Sequence, residues 1–195
     1  MPDILLFVED SAQEKFLSAM LVRLAGDAHV SLHVRVRTAQ GGIGRVLGQL
    51  ESFAQEVERG RAAMPDGLVV ALDANCKGFN ERRKGANQRA GKLLESVILA
   101  IPDPHIERWF LLDSEAFKEA VGRGCKAPGE KCEKQRYKRL LNQAVLEAGV
   151  QPLLGGVEYA EELAKAYNIQ RVADTDVSFG RFVADARSWL NRFRQ

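Results

Sequence analysis

The sequence predicts an α/β fold: a mostly parallel central sheet flanked by helices, with a helical C-terminal part. Three observations carry this. Residues 4–8, 68–72 and 97–101 are continuous apolar runs rich in Val, Ile and Leu rather than alternating ones. That is the pattern of strands buried on both faces, which occur almost only in parallel sheets covered by helices. Each run is followed by helical spacing, and repeated strand–helix units imply right-handed crossovers. From Ser114 onward only helical spacing remains.

In chain order, the first run ends in Glu9 and Asp10. Ser11 with Glu14 three residues on reads as a capping box, and Phe16, Leu17, Met20, Leu21 and Leu24 keep helical spacing until Gly26. Residues 30–36 alternate and predict a half-exposed strand. Gly41, Gly42 and Gly44 enter a helix with Ile43, Val46, Leu47, Leu50, Phe53 and Val57 on one face, ended by Gly60. Free N–H groups at such an entry can bind phosphate, but the spacing matches neither phosphate-loop nor dinucleotide patterns, and a flexible turn is the plainer reading.

The run at 68–72 turns polar abruptly at Asp73, Asn75, Lys77 and Gly78. In extended chain Asp73 and Asn75, two apart, face the same side, so together they can hold a hard cation such as Mg²⁺. The alternative is a strand stop with turn-forming side chains. Residues 80–89 carry Arg82, Arg83 and Lys84, either a solvated helix or loop or a phosphate contact. Pro102 and Pro104 stop the run at 97–101 and prime a helix whose core side is Ile106, Trp109 and Phe110. Glu107 falls in its first turn. Glu9, Asp73 and Glu107 therefore converge on the carboxyl rim of the sheet, where ligands of such folds bind.

In the helical part, Ser114 caps a short helix ended by Gly122, and residues 124–133 form a polar loop. A helix follows with Tyr137, Leu140, Leu141, Ala144 and Ala148 inward and Lys134, Arg136, Lys138 and Arg139 largely outward. Ala160, Leu163, Ala164 and Tyr167 mark the next helix. The last begins near Asp176, with Phe179, Phe182, Val183, Ala186, Trp189, Leu190 and Phe193 as a core stripe. The organisation predicted is an α/β core at 1–113 and a helical extension at 114–195 packed on it as one compact unit.

Composition narrows the function. A formal net charge of +2 over 195 residues means that any nucleic-acid surface comes from local clustering. Three cysteines, Cys76, Cys125 and Cys132, without framework or paired metal spacing, predict free thiols, no zinc, and a reducing compartment. No leader-like segment and no apolar run of spanning length is present, so the expectation is a cytoplasmic protein with no membrane partner.

Residues 6–9 with the following helix, the stretch at 70–78, the stretch at 101–113 with its Glu107-Arg108-Trp109, and residues 178–182 together resemble the TOPRIM-like family. The likeness is to the small stand-alone TOPRIM-like proteins of bacterial phage-defence operons and, more distantly, to the overcoming-lysogenisation-defect nucleases; it is spread over most of the chain. The chain departs from that pattern in having Asp10 after the first Glu and Asn75 as the second residue of the Asp-x-Asp pair. The amide can ligate through its oxygen but neutralises less charge. The resemblance implies Mg²⁺ (or Mn²⁺)-dependent phosphodiester hydrolysis of nucleic acid, DNA or RNA, next to an ATPase partner. With it, Glu9, Asp73, Asn75 and Glu107 are the expected metal ligands and Glu9 and Asp73 catalytic. By their own position, Lys77 is either a stabiliser of developing charge or a solvated turn lysine, and Arg82, Arg83 and Lys84 are the candidate nucleic-acid contacts. The rival reading is a non-catalytic module that binds metal or phosphate at the same rim as a regulatory subunit of an ATPase complex.

Overall fold

A computed structural model describes residues 1–129, 132, 133 and 135–194, without the side chain of Cys76. Among these, four strands, β1 (Asp3–Val8), β2 (His33–Thr38), β3 (Gly67–Ala71) and β4 (Val97–Ala100), form one sheet. Its order is β2-β1-β3-β4, and every pairing is parallel. The two central strands are β1 and β3, whose residues 4–8 and 67–71 are all buried. Edge strand β2 alternates between exposed and half-buried residues over most of its length, as its alternating sequence predicts. The chain leaves β1 toward one edge and returns to β3 on the other side. The β1–β3 boundary is thus a topological switch point, the place where open parallel sheets bind ligands.

Side chains alternate across a strand, so the sheet has two cores. Leu5 and Phe7 of β1 and Leu68 and Val70 of β3 pack with α2 (Ile43–Glu58) and α3 (Gly78–Ala90), through Leu50, Phe53 and Ala86. Ile4, Leu6 and Val8 face the larger core with Val69 and Ile98. That core takes in α1 (Ser11–Asp27), α4 (Ile106–Phe110), α5 (Ser114–Val121), α6 (Arg136–Glu147), α7 (Ala160–Ala166), α8 (Ile169–Thr175) and α9 (Val177–Leu190). Its centre is aromatic: Trp109 packs edge-on against Phe179 with centroids 5.1 Å apart and stacks on Phe182 at 5.9 Å. Burying each such ring stabilises the fold by about 1.5–3 kcal/mol.

Several local expectations are corrected. The caps of α1 and α5 are Asp10 and Asp113, not the serines that follow them. Asp10 accepts from the Gln13 N–H at 3.0 Å, and Asp113 accepts from Glu115 and Ala116; a carboxylate is at least as good a cap as a hydroxyl. Glu14 does not close a capping box: its carboxylate accepts from the Thr38 hydroxyl at 3.0 Å. Helix α1 continues through Gly26 to Asp27. Helix α8 is an element the sequence pattern does not announce; Asn168 caps it by accepting from the Arg171 N–H at 3.0 Å.

Cys132 is disulfide-bonded, whereas Cys125 is a free thiol. This overturns the expectation of free thiols throughout, since spacing along the chain says nothing of approach in space. Lys134 lies outside the described residues. Among the described residues no helix is long and apolar enough to cross a membrane.

Where α9 crosses α8, a Cβ on Gly180 would run into the carbonyl oxygen of Ala173. The cost falls on backbone, which cannot swing aside. Gly180→Ala is expected to destabilise the protein by about 1–3 kcal/mol, read as a lower urea midpoint at unchanged slope.

Candidate metal centre

The carboxyl rim is built by extending the β3–β4 pairing beyond the strands. Leu72 donates to the Ala100 carbonyl at 3.0 Å, Ala74 to Pro102 at 2.9 Å, and Asn75 to Pro104 at 2.8 Å. Asp73 is thereby fixed against the turn leading into α4. Its Oδ1 accepts from the Ile106 N–H at 3.2 Å and from Gln13 Nε2 at 3.2 Å. Its Oδ2 lies 3.1 Å from His105 Nδ1. Gln13 is buried, and its own carbonyl accepts from the Glu9 N–H at 2.9 Å. One glutamine thus ties the end of β1 to the end of β3 across the switch point.

Glu107 is presented by α4, a helix of only five residues, every one of them buried. So short a helix has little stability of its own, and a polar network holds it. Arg108 forms a buried ion pair with Asp176, the N-cap of α9, and donates to the Asp103 carbonyl at 3.1 Å. Trp109 Nε1 donates to Ser178 Oγ at 2.8 Å, and Ser178 in turn donates to Asp176 at 2.6 Å. The Tyr167 hydroxyl donates to the Trp109 carbonyl.

The result is a three-residue group that can hold a metal ion. Asp73, His105 and Glu107 each offer one ligand atom, and these atoms lie within 4.8 Å of one another. Burial and then the Asp73 charge push the Glu107 carboxyl above its ordinary range. The hydrogen bond to Asp73 raises His105, against some loss from burial. Two carboxylates with one imidazole suit a divalent cation; the imidazole moves the preference from an all-oxygen Mg²⁺ site toward Mn²⁺ and later metals.

The structure brings Asp73 and Glu107 together and adds His105, which by sequence reads as an ordinary helix residue. Glu9 stands outside this group. It is half-buried, with Oε1 3.9 Å from where a Cβ on Gly42 would sit. Its carboxyl is raised by burial first, then by Asp73 and Asp10. Asn75 does not sit in extended chain. The backbone turns helical at Ala74, and Asn75 opens a 3-10 turn (Asn75–Lys77) with φ 50°, a left-handed conformation that asparagine tolerates. The same-side argument for Asp73 and Asn75 therefore fails. Lys77 is exposed and pairs with Glu81 at 3.2 Å. Arg82 turns back to the rim, its Nε donating to the Asp73 carbonyl at 3.0 Å. Arg83 lines a groove with Phe79 and Arg181 on the α3–α9 side, and Lys84 is exposed.

Lys138 of α6 lies 3.7 Å from Glu107 Oε1. Beside this pair a cleft of about 280 Å³ opens between the start of α1, α6 and the residue 154–157 loop.

Fold and site define a class: a parallel α/β protein with a candidate cation-binding group at the carboxyl end of its sheet. The chain belongs to the family described as domain of unknown function DUF4276, which it matches over residues 8–185; the matched span contains every residue of the rim described above. No curated protein and no solved structure matches the chain.

Proposed function

We propose that this chain is a TOPRIM-like, divalent-metal-dependent nuclease, with Mg²⁺ or Mn²⁺ at the rim, that hydrolyses nucleic-acid phosphodiesters. The setting we propose is bacterial phage defence, in the cytoplasm, with an ATPase partner. The observation that carries the reading is the convergence of Asp73, His105 and Glu107 at the carboxyl end of a parallel sheet, past β3 and β4. A divalent ion held there would polarise a phosphoryl oxygen and acidify water. Glu9, half-buried at the end of β1 and tied to Asp73 through Gln13, would accept a proton from that water. Lys138 offers the nearby positive charge for a phosphate; Lys77, Arg83 and Lys84 are exposed.

A second reading is favoured by one observation: the Asp73 carboxylate already has three partners within the fold, Gln13, Ile106 and His105. A carboxylate so satisfied can serve as a strut, and the rim would then bind metal or phosphate in a regulatory subunit of an ATPase complex without chemistry.

Plasmid DNA and total RNA incubated with Mg²⁺ or Mn²⁺ separate the two. Cleavage by wild type but not by Glu9→Gln is the expected result. If neither protein cleaves either substrate, even with a candidate ATPase added, the regulatory reading stands instead. Replacing Arg83 and Lys84 by alanine is expected to lower the salt slope of nucleic-acid binding by about one for each phosphate that is no longer neutralised.

A further inference from the structure

The cleft beside Glu107 is larger than an ion needs and has a different chemistry from the rim. Ala12, Leu141, Leu154 and Val157 line its apolar part, and Asp10, Ser11, Glu107 and Lys138 its polar part. Leu154 is 61% exposed, and it is not loose. The Glu158 carboxylate accepts from the backbone N–H groups of Leu153 at 2.7 Å, Leu154 at 3.0 Å and Gly156 at 3.0 Å. Three bonds to one carboxylate fix the loop and hold Leu154 at the rim of the cleft. An apolar side chain displayed on a braced loop next to a charged end is the composition of a ligand cleft: apolar walls with a few convergent polar groups.

We propose that this cleft takes one nucleoside of a single-stranded nucleic acid, with its phosphate at Lys138 beside the metal group; this rests on the nuclease reading above and names its substrate class. Size is the first argument. At about 280 Å³ the cleft lies just below the usual range of ligand clefts, roughly 300–1,000 Å³, which leaves room for one nucleoside and no more. A paired base could enter it only by leaving its stack, at a cost of a few kcal/mol. Charge is the second argument. Duplex affinity is built mainly from many phosphate contacts, and a chain of net charge +2 holds no broad excess of cation for that. Single strands are instead read through splayed bases, which can pack against apolar side chains; Leu154 and Val157 offer such a surface at the cleft, Leu141 being fully buried. The cation at the mouth, Lys138, is 66% exposed and can swing to a phosphate.

The test is methyl NMR of protein labelled at Leu and Val, titrated with adenosine, adenosine 5′-monophosphate and inorganic phosphate, in chelator and in Mg²⁺. Adenosine and its monophosphate are expected to shift the Leu141, Leu154 and Val157 methyls by ring current, and phosphate alone is not. Lys138→Ala should weaken the monophosphate about tenfold, the loss of one charge-assisted bond, and leave adenosine unchanged. Leu154→Ser, at an exposed position that does not threaten folding, should weaken both. A labelled single-stranded 12-mer should bind at least about tenfold tighter than the same sequence as a blunt duplex. Still methyls in the presence of both nucleoside forms, or equal binding of strand and duplex, would overturn the proposal. Metal binding is read separately from the His105 ring resonances. If those ignore Mg²⁺ and Mn²⁺ while the methyls respond, the metal reading fails and the cleft assignment survives.

Discussion

Replacing Arg108 by alanine is expected to cost the protein about 3–5 kcal/mol, the usual penalty for breaking a buried pair from one side. The Arg108 and Asp176 side chains are 8% and 2% exposed, so the carboxylate left behind has no water to turn to. Asp176 also holds Ser178 and caps α9 through the Phe179 N–H at 2.8 Å, so the uncompensated charge sits at the joint of α9 with α4. Equilibrium urea denaturation reads the loss directly. A double variant, Arg108→Leu with Asp176→Asn, should recover most of it. The buried charge is gone from both sides, and asparagine remains a good N-cap. A folded Arg108→Ala protein should also respond less to divalent ions, because Glu107 is the preceding residue on the same five-residue helix. If the single change costs less than about 1 kcal/mol, α4 is held by its aromatic packing alone and the polar network is incidental.

The parts of this molecule that were legible in the sequence are those in which local pattern and global position agree. The runs at 4–8, 68–72 and 97–101 are apolar on both faces because β1, β3 and β4 lie between two helical layers, and nothing in solvent interrupts them. Two carboxylates of the metal group, Asp73 and Glu107, were legible for a related reason: a carboxylate just past a buried strand is conspicuous. Their partners were not. His105 follows a proline and precedes a core isoleucine, and nothing nearby in sequence marks it; what gives it a role is Asp73, 32 residues away. Gln13 reads as an ordinary residue of an amphipathic helix, yet it joins Glu9 to Asp73. The Arg108–Asp176 pair spans 68 residues, and a lone Arg and a lone Asp read as surface charges until the fold buries them. The same-side argument for Asn75 failed for the opposite reason. The period-two rule is valid only while the chain stays extended, and the chain stops being extended one residue earlier.

Glu107→Gln is expected to raise the melting temperature of the metal-free protein at pH 8 and to remove most of its response to divalent ions. The sign follows from the protonation of the rim. Glu107 and Glu9 both have folded-state pKa values raised above the ordinary 4.5, from burial first and then the Asp73 charge. His105 is raised above 6.5, first by its hydrogen bond to Asp73. For all three, the native state holds its proton more tightly than the unfolded chain does. The stability they contribute is complete below the unfolded values and is lost as pH rises through the folded ones. Metal-free wild type therefore carries at pH 8 a destabilisation that is absent near pH 4. Glutamine keeps the shape of Glu107 without the charge, so the gap between variant and wild type should widen with rising pH; the ion pair given up is with an exposed lysine and is worth little. Metal reverses the order. A divalent ion at a hundred times its dissociation constant stabilises wild type by about 2.7 kcal/mol, roughly 5–10 °C for a chain of this length. That increment should grow with pH as the ion no longer competes with protons for His105 and the carboxylates. Differential scanning fluorimetry of both proteins from pH 5 to 8, with chelator, Mg²⁺, Mn²⁺ and monovalent salt of equal ionic strength, reads every arm. A metal-free Glu107→Gln protein that melts lower than wild type, with its divalent increment intact, would make Glu107 a structural carboxylate and empty the metal centre of one of its three ligands.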